Sequence, residues 1–261
     1  MRIIVFGDTH GRPHWKAIVE KETWDLVIFL GDYFTSREGY TEDEQIANFK
    51  EIMEFKDLYP DNVILCLGNH DTQAMGYHWA DCRPRFYNRW GYENRDEILQ
   101  RCQWVHVIGN VVFSHAGITQ RWFENIQKVH PEVKTFMDIN TLPPSEEFGF
   151  WPCKLSDYSG DSATQPPTWI RPWTLISYAF GDYTYVVGHT CVNYHKPQVT
   201  YLNDELIEGY KGSYMFDENE ERCKNVIKQY QDANSIWCCD ALPHSYLIIE
   251  DGQFIPCKFM E

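Results

Sequence analysis

Basic residues are scarce: 23 Lys plus Arg stand against 38 Asp plus Glu, a formal charge of −15. So acidic a chain lacks the continuous positive surface that tracks a phosphate backbone, and extended nucleic-acid binding is not expected. Long hydrophobic runs are missing too. No apolar stretch approaches the roughly 18 residues a bilayer span needs, and the apolar opening stops at Phe6, too short for a signal-peptide core. Neither end carries a lipidation motif, so no membrane partner and a cytoplasmic location are expected. The nine cysteines contain no CxxC pair; apart from adjacent Cys238 and Cys239 they are scattered, and their number is odd. Reduced, mostly buried thiols fit that pattern better than a disulfide framework. Internal repeats and low-complexity runs are absent as well.

What remains is 43% hydrophobic and 23% charged, a globular composition able to bury a core. At roughly 150 residues per domain the 261 residues allow one large α/β domain, and a single unit over 1–261 is expected. Arg2 to Phe6, Asp25 to Leu30 and Val63 to Leu67 are short apolar runs stopped by Gly7, Gly31 and Gly68, as suits buried strands. Pro13 to Glu22 can form a helix. Thr41-Glu42-Asp43-Glu44 is a capping box that opens another, and Pro60 stops it. This β-α-β-α-β order predicts a sheet with helical crossovers. Further strands are expected at Val105 to Ile108, Val111 to Ser114, Tyr183 to Val187 and Ser235 to Cys239, with a hairpin turning at Asp251-Gly252. Residues 122–180, rich in Pro and Trp, read as an ordered excursion over one face.

Polar residues fall at the strand ends. Gly7-Asp8-Thr9-His10-Gly11, Gly31-Asp32-Tyr33 and Gly68-Asn69-His70-Asp71 each follow an early strand, and Ser114-His115-Ala116-Gly117 and Gly188-His189-Thr190 follow two later ones. Loops at the carboxyl ends of neighbouring strands converge, so these side chains should meet. Carboxylate, imidazole and amide groups without thiols suit hard or borderline divalent cations. Taken singly, a strand-end Asp is ordinarily a cap and a lone His ordinarily a hydrogen-bonded core residue. Five such loops in one order point instead to a site.

This ordered set resembles the calcineurin-like metallophosphoesterase superfamily, in the branch of serine/threonine phosphoprotein phosphatases and bacterial diadenosine tetraphosphatases. Thr168-Trp169-Ile170-Arg171 looks like that branch's Trp-x-Arg. The resemblance implies a metallophosphoesterase-type β-sandwich of two mixed sheets flanked by helices. It implies two divalent metal ions, with Mn²⁺ the leading expectation and Fe, Zn²⁺, Ni²⁺ or Co²⁺ the alternatives. Asp8 and His10 would ligate the first metal, Asp32 would bridge both, and Asn69, His115 and His189 would complete the second. His70 would donate a proton to the leaving group without being a ligand, with Asp71 a candidate acid beside it, and Arg171 would clamp the phosphoryl oxygens.

The departures bear on the substrate. Where the phosphoprotein phosphatases continue their second motif with Asp-Arg-Gly, this chain has Phe34-Thr35-Ser36-Arg37-Glu38. Thr35 stands where the acid that orients the catalytic His should be. Arg37 lies one residue late and reaches phosphate only if the loop adjusts. The resemblance implies hydrolysis of a phosphate-ester substrate by direct attack of a metal-bridging hydroxide. A phosphomonoesterase of serine/threonine phosphatase type is the leading expectation, and a dinucleoside polyphosphate hydrolase or nucleotide phosphodiesterase the enzymatic alternative. A catalytically silent interaction module on the same fold is a third reading, which predicts eroded ligands.

Overall fold

Alternation along the first strand sets the layering. In the computed structural model, which describes residues 1–36, 38–77, 87–144, 163–180, 182–190, 200–201, 236–239 and 245–258, strand β1 runs Arg2–Phe6. Its Ile3 and Val5 join one buried cluster and its Ile4 and Phe6 another, as the period-2 geometry of a strand requires. Strands β2 (Leu26–Phe29) and β3 (Val63–Cys66) pair in parallel, β2 with β1 and β3 with β2, so each needs a crossover. Helices α1 (Trp15–Lys21) and α2 (Glu42–Leu58) supply them. The expected box at Thr41 forms: its hydroxyl accepts from the Glu44 amide, and Glu44 accepts from the Thr41 amide.

Helix α3 (Asn69–Ala74) opens inside the third motif, where the sequence predicts only a loop. Short helices α4 (Arg89–Glu93) and α5 (Arg95–Arg101) lead to β4 (Cys102–Gln103). Then come β5 (Val105–Ile108), β6 (Val111–Ser114), α6 (Gln120–Val129), a 3-10 turn Phe136–Thr141, α7 (Pro172–Tyr178) and β7 (Thr184–Val187). Strands β8 (Thr200–Tyr201), β9 (Ile236–Cys238), β10 (Ser245–Glu250) and β11 (Gln253–Lys258) complete the described elements. The hairpin turns at Asp251-Gly252 as expected.

Two mixed sheets result, ordered β11-β10-β1-β2-β3-β4 and β5-β6-β7-β9-β8. Ile3, Val5, Ile28, Ile64, Leu247 and Ile249 of the first meet Phe113 and Val186 of the second in one buried layer. The outward faces carry Phe29, Leu65 and Tyr185 in the larger cluster, together with Trp15 and Ile18 of α1 and Phe49 and Ile52 of α2. This is the expected two-sheet sandwich flanked by helices. Parts of the 122–180 excursion, residues 145–162, lie outside the described residues, as does Arg37. Among the described residues, no helix is long and apolar enough to cross a membrane.

Candidate metal centre

Strands β1, β2, β3, β6 and β7 deliver their following loops to one place. Backbone bonds lace the loops together: His10 N donates to Asp32 O at 2.8 Å, and Gly188 N to His115 O at 2.8 Å. Three of the side chains gathered there sit on backbone in the left-handed region, His10 at φ 48°, Asp32 at φ 54° and His189 at φ 63°. Each such residue costs about 1–3 kcal/mol, and strain of this kind persists only where surrounding contacts over-determine it. Here those contacts include the Asp8 carboxylate, whose Oδ1 accepts from His189 N at 2.8 Å, and Asp32 Oδ1, which accepts from His70 N at 2.9 Å.

The motif glycines leave room for these carboxylates. A Cβ at Gly188 would collide with Asp8 Oδ1, and one at Gly68 with Asp32 Oδ1. Gly188→Ala is therefore expected to weaken Mn²⁺ binding by about 10- to 100-fold, the range found when a ligand's support is lost. Calorimetric titration checks this, and wild-type affinity in the variant would show that Asp8 need not hold its position.

The imidazoles are aimed by main-chain carbonyls. His10 Nδ1 meets Phe34 O at 2.8 Å and His115 Nδ1 meets Leu30 O at 2.9 Å. A ring that donates from Nδ1 presents a lone pair at Nε2, the arrangement in which a histidine binds metal. His115 Nε2 then lies 3.1 Å from Asn69 Oδ1, 3.2 Å from His189 Nδ1 and 3.5 Å from Asp32 Oδ1. Metal–ligand bonds of about 2.0–2.2 Å set neighbouring ligand atoms roughly 3.0–3.5 Å apart, so this donor set fits a bound cation. Asp32, His115 and His189 form one triad that could hold a metal ion, and His10, Asp32 and His70 form another, with Asp32 shared. On the second side, His10 Nε2 stands 3.7 Å from Asp8 Oδ2 and His70 Nε2 stands 3.7 Å from Asp32 Oδ2. The family resemblance sets His70 apart from the ligands, whereas the geometry alone admits it among them.

Electrostatics match a cation site. Burial raises the Asp32 carboxyl, but the imidazoles of His115, His70 and His10 outweigh it and hold Asp32 below the usual carboxylate range. Burial, with Arg171, His115 and His70 nearby, holds His189 well below its usual value, so it is the neutral form that faces the site.

Asp71, the last residue of the third motif and the candidate acid beside His70, turns its carboxylate to main-chain amides. Its Oδ2 accepts from Asp32 N at 2.7 Å and Gly68 N at 2.8 Å, and its Oδ1 from Tyr33 N at 2.7 Å. The carboxylate thus staples the second loop to the start of α3, which explains why that motif becomes helical. Burial and the Asp32 charge push Asp71 upward against those donors. Arg171, at the N-terminus of α7, is brought to the site: its Nη1 donates to His189 O and Thr190 Oγ1, each at 3.3 Å, and its guanidinium lies 6.0 Å from the Trp169 ring. Sequence reasoning missed Arg12, buried beside Asp8, because a charged residue one step past a motif carries no pattern of its own.

A strand-end Asp/His/Asn cluster in a two-sheet sandwich is a candidate divalent-metal site. The family model for calcineurin-like phosphoesterases matches residues 1–216, and the chain belongs to that family. It is 25% identical over 147 residues to a probable serine/threonine-protein phosphatase of Encephalitozoon cuniculi, covering 52% of this chain and 31% of that protein. It is 26% identical over 155 residues to the serine/threonine-protein phosphatase 4 catalytic subunit of Saccharomyces cerevisiae, covering 56% of this chain and 44% of that protein. The chain thus spans less than half the length of either curated relative. A solved protein serine/threonine phosphatase from Saccharomyces cerevisiae shares the fold, with a TM-score of 0.54 and 13% identity over 100% of this chain and 80% of that one.

Proposed function

We propose that this chain hydrolyses phosphate esters, in the first place phosphomonoesters after the manner of serine/threonine phosphatases, with two divalent cations held in the cluster around Asp32. The observation that carries this reading is the shared carboxylate: Asp32 belongs to both ligand triads, with imidazoles on either side. Asp8 and His10 would hold one ion and Asn69, His115 and His189 the other. The bound cations would lower the pKa of water and offset charge gathering on the phosphoryl group. The protein's own groups orient and exclude. Hydrogen bonds from His10 and His115 to main-chain oxygens fix their ring directions, and the 0% exposure of both keeps their outer faces dry. We further infer one domain over residues 1–261 and a cytoplasmic setting.

The test is a panel of substrates offered to purified protein with Mn²⁺: a phosphoserine peptide, diadenosine tetraphosphate, a cyclic nucleotide and short oligonucleotides. The phosphopeptide is expected to turn over fastest. Preference for diadenosine tetraphosphate would replace the monoesterase reading, and no turnover with any member of the panel would leave a silent module.

Arg171 would grip the phosphoryl oxygens, since its contacts to His189 O and Thr190 hold a guanidinium beside the second ligand set. Arg171→Ala is expected to raise KM and lower kcat, about 10- to 100-fold together in kcat/KM, with metal content intact. Arg171→Lys should not restore the planar fork. Wild-type kinetics in Arg171→Ala would remove it from the site.

A further inference from the structure

The second motif departs from the family's pattern after Tyr33, and a buried arginine braces the altered loop. Arg12 follows the first motif and is 3% exposed. Its Nη1 donates to the Asp8 carbonyl at 2.9 Å and its Nε donates to Glu38 Oε1 at 3.0 Å. One guanidinium therefore ties the loop after β1 to the loop after β2. Glu38 lies just beyond Thr35, whose φ of 70° is exceptional for a β-branched residue. Just before that turn, the Phe34 carbonyl meets His10 Nδ1. The two loop segments that Arg12 joins are thus the ones that set Asp8, through its carbonyl, and His10, through Phe34.

Stability does not account for a guanidinium here. Its Nη2 is buried and has no hydrogen-bond partner among the described residues, and a buried donor left unmet opposes folding. Glu38 is exposed, and an ion pair with one exposed partner adds little to folding. What an apolar side chain in its place cannot do is hold two loops in register through directed, charge-assisted hydrogen bonds.

We propose that Arg12, braced by Glu38, is a positioning residue that keeps Asp8 and His10 in metal-binding geometry. The inference rests on the metal-centre reading above, and the two can fail separately. Metal-free, full-length wild type, Arg12→Gln, Arg12→Lys and Glu38→Gln are titrated with Mn²⁺ by calorimetry, and the same metal-free proteins are melted. Arg12→Gln should weaken one of the two Mn²⁺ sites by about 10- to 100-fold and spare the other. Glu38→Gln should weaken the same site less, because the bond to Asp8 survives, and Arg12→Lys should recover part of the loss. If Arg12→Gln does not fold, Glu38→Gln decides the matter. Lowered melting temperatures with both Mn²⁺ affinities unchanged would overturn the positioning role while leaving the metal centre standing. Wild type that binds no Mn²⁺ would overturn both.

Discussion

Asp32→Asn should lose hydrolysis and metal together. Asp32 is 1% exposed, belongs to both candidate triads and faces imidazole nitrogens of His70 at 3.7 Å and His115 at 3.5 Å. Asparagine keeps the shape and keeps Oδ1 as acceptor for the His70 amide, so the loops have no reason to move. It removes the negative charge that lets one side chain serve two cations. Because removal of a single preorganised electrostatic group already costs about 10²- to 10³-fold, a shared anion should cost at least that much in kcat. The melting temperature of the metal-free protein should fall, since the imidazoles that hold Asp32 below the usual carboxylate range lose the charge they stabilise, with relief of Asp71 only a partial offset. Elemental analysis and kinetics on the same preparation check this. A variant that retains two Mn²⁺ per chain and wild-type turnover would end the shared-ligand assignment.

Much of this could be read from the chain because the signals are local. Strands buried on both faces give unbroken apolar runs such as Ile3-Ile4-Val5-Phe6, and a glycine marks where each must bend. The observed β1, β5 and β6 match the expected spans, and β2, β3, β7 and β9 differ by one residue at one or both ends, where the ladder hydrogen bonds give way to loop. The candidate ligands were legible for the same reason, each lying next to its strand, and the fold brings them together. What was hidden depends on partners far apart in sequence. Helix α3 has six residues, too few for propensity to declare, and it is anchored by Asp71 reaching Asp32 and Tyr33 across 39 and 38 positions. Arg12 and Glu38 are 26 apart. No period or motif links such pairs, because only the folded sheet brings them together.

The last expected result separates the two roles open to His70. A phosphoserine leaves as an alkoxide and needs a proton as its bond to phosphorus breaks, and a positioned acid contributes about 10²- to 10⁴-fold. Nitrophenolate leaves without help. His70→Asn should therefore slow phosphoserine hydrolysis by at least about 100-fold while costing nitrophenyl phosphate hydrolysis under about tenfold, with both metals still bound. The structure argues for the low end of that range. Asp71 spends its carboxylate on the amides of Asp32, Gly68 and Tyr33, and Thr35 replaces the orienting acid of the resembling family. The acid that does face His70 Nε2 is Asp32 at 3.7 Å, and the ring stands edge-on to His10 at 5.2 Å between centroids. Asp32 can hold the His70 ring in direction, but in the two-cation reading its charge would serve the cations and not His70 alone. If His70 instead ligates, as its place in the triad with His10 and Asp32 allows, His70→Asn will release one metal and damage both substrates alike. Equal losses with both metals retained would remove His70 from proton transfer altogether.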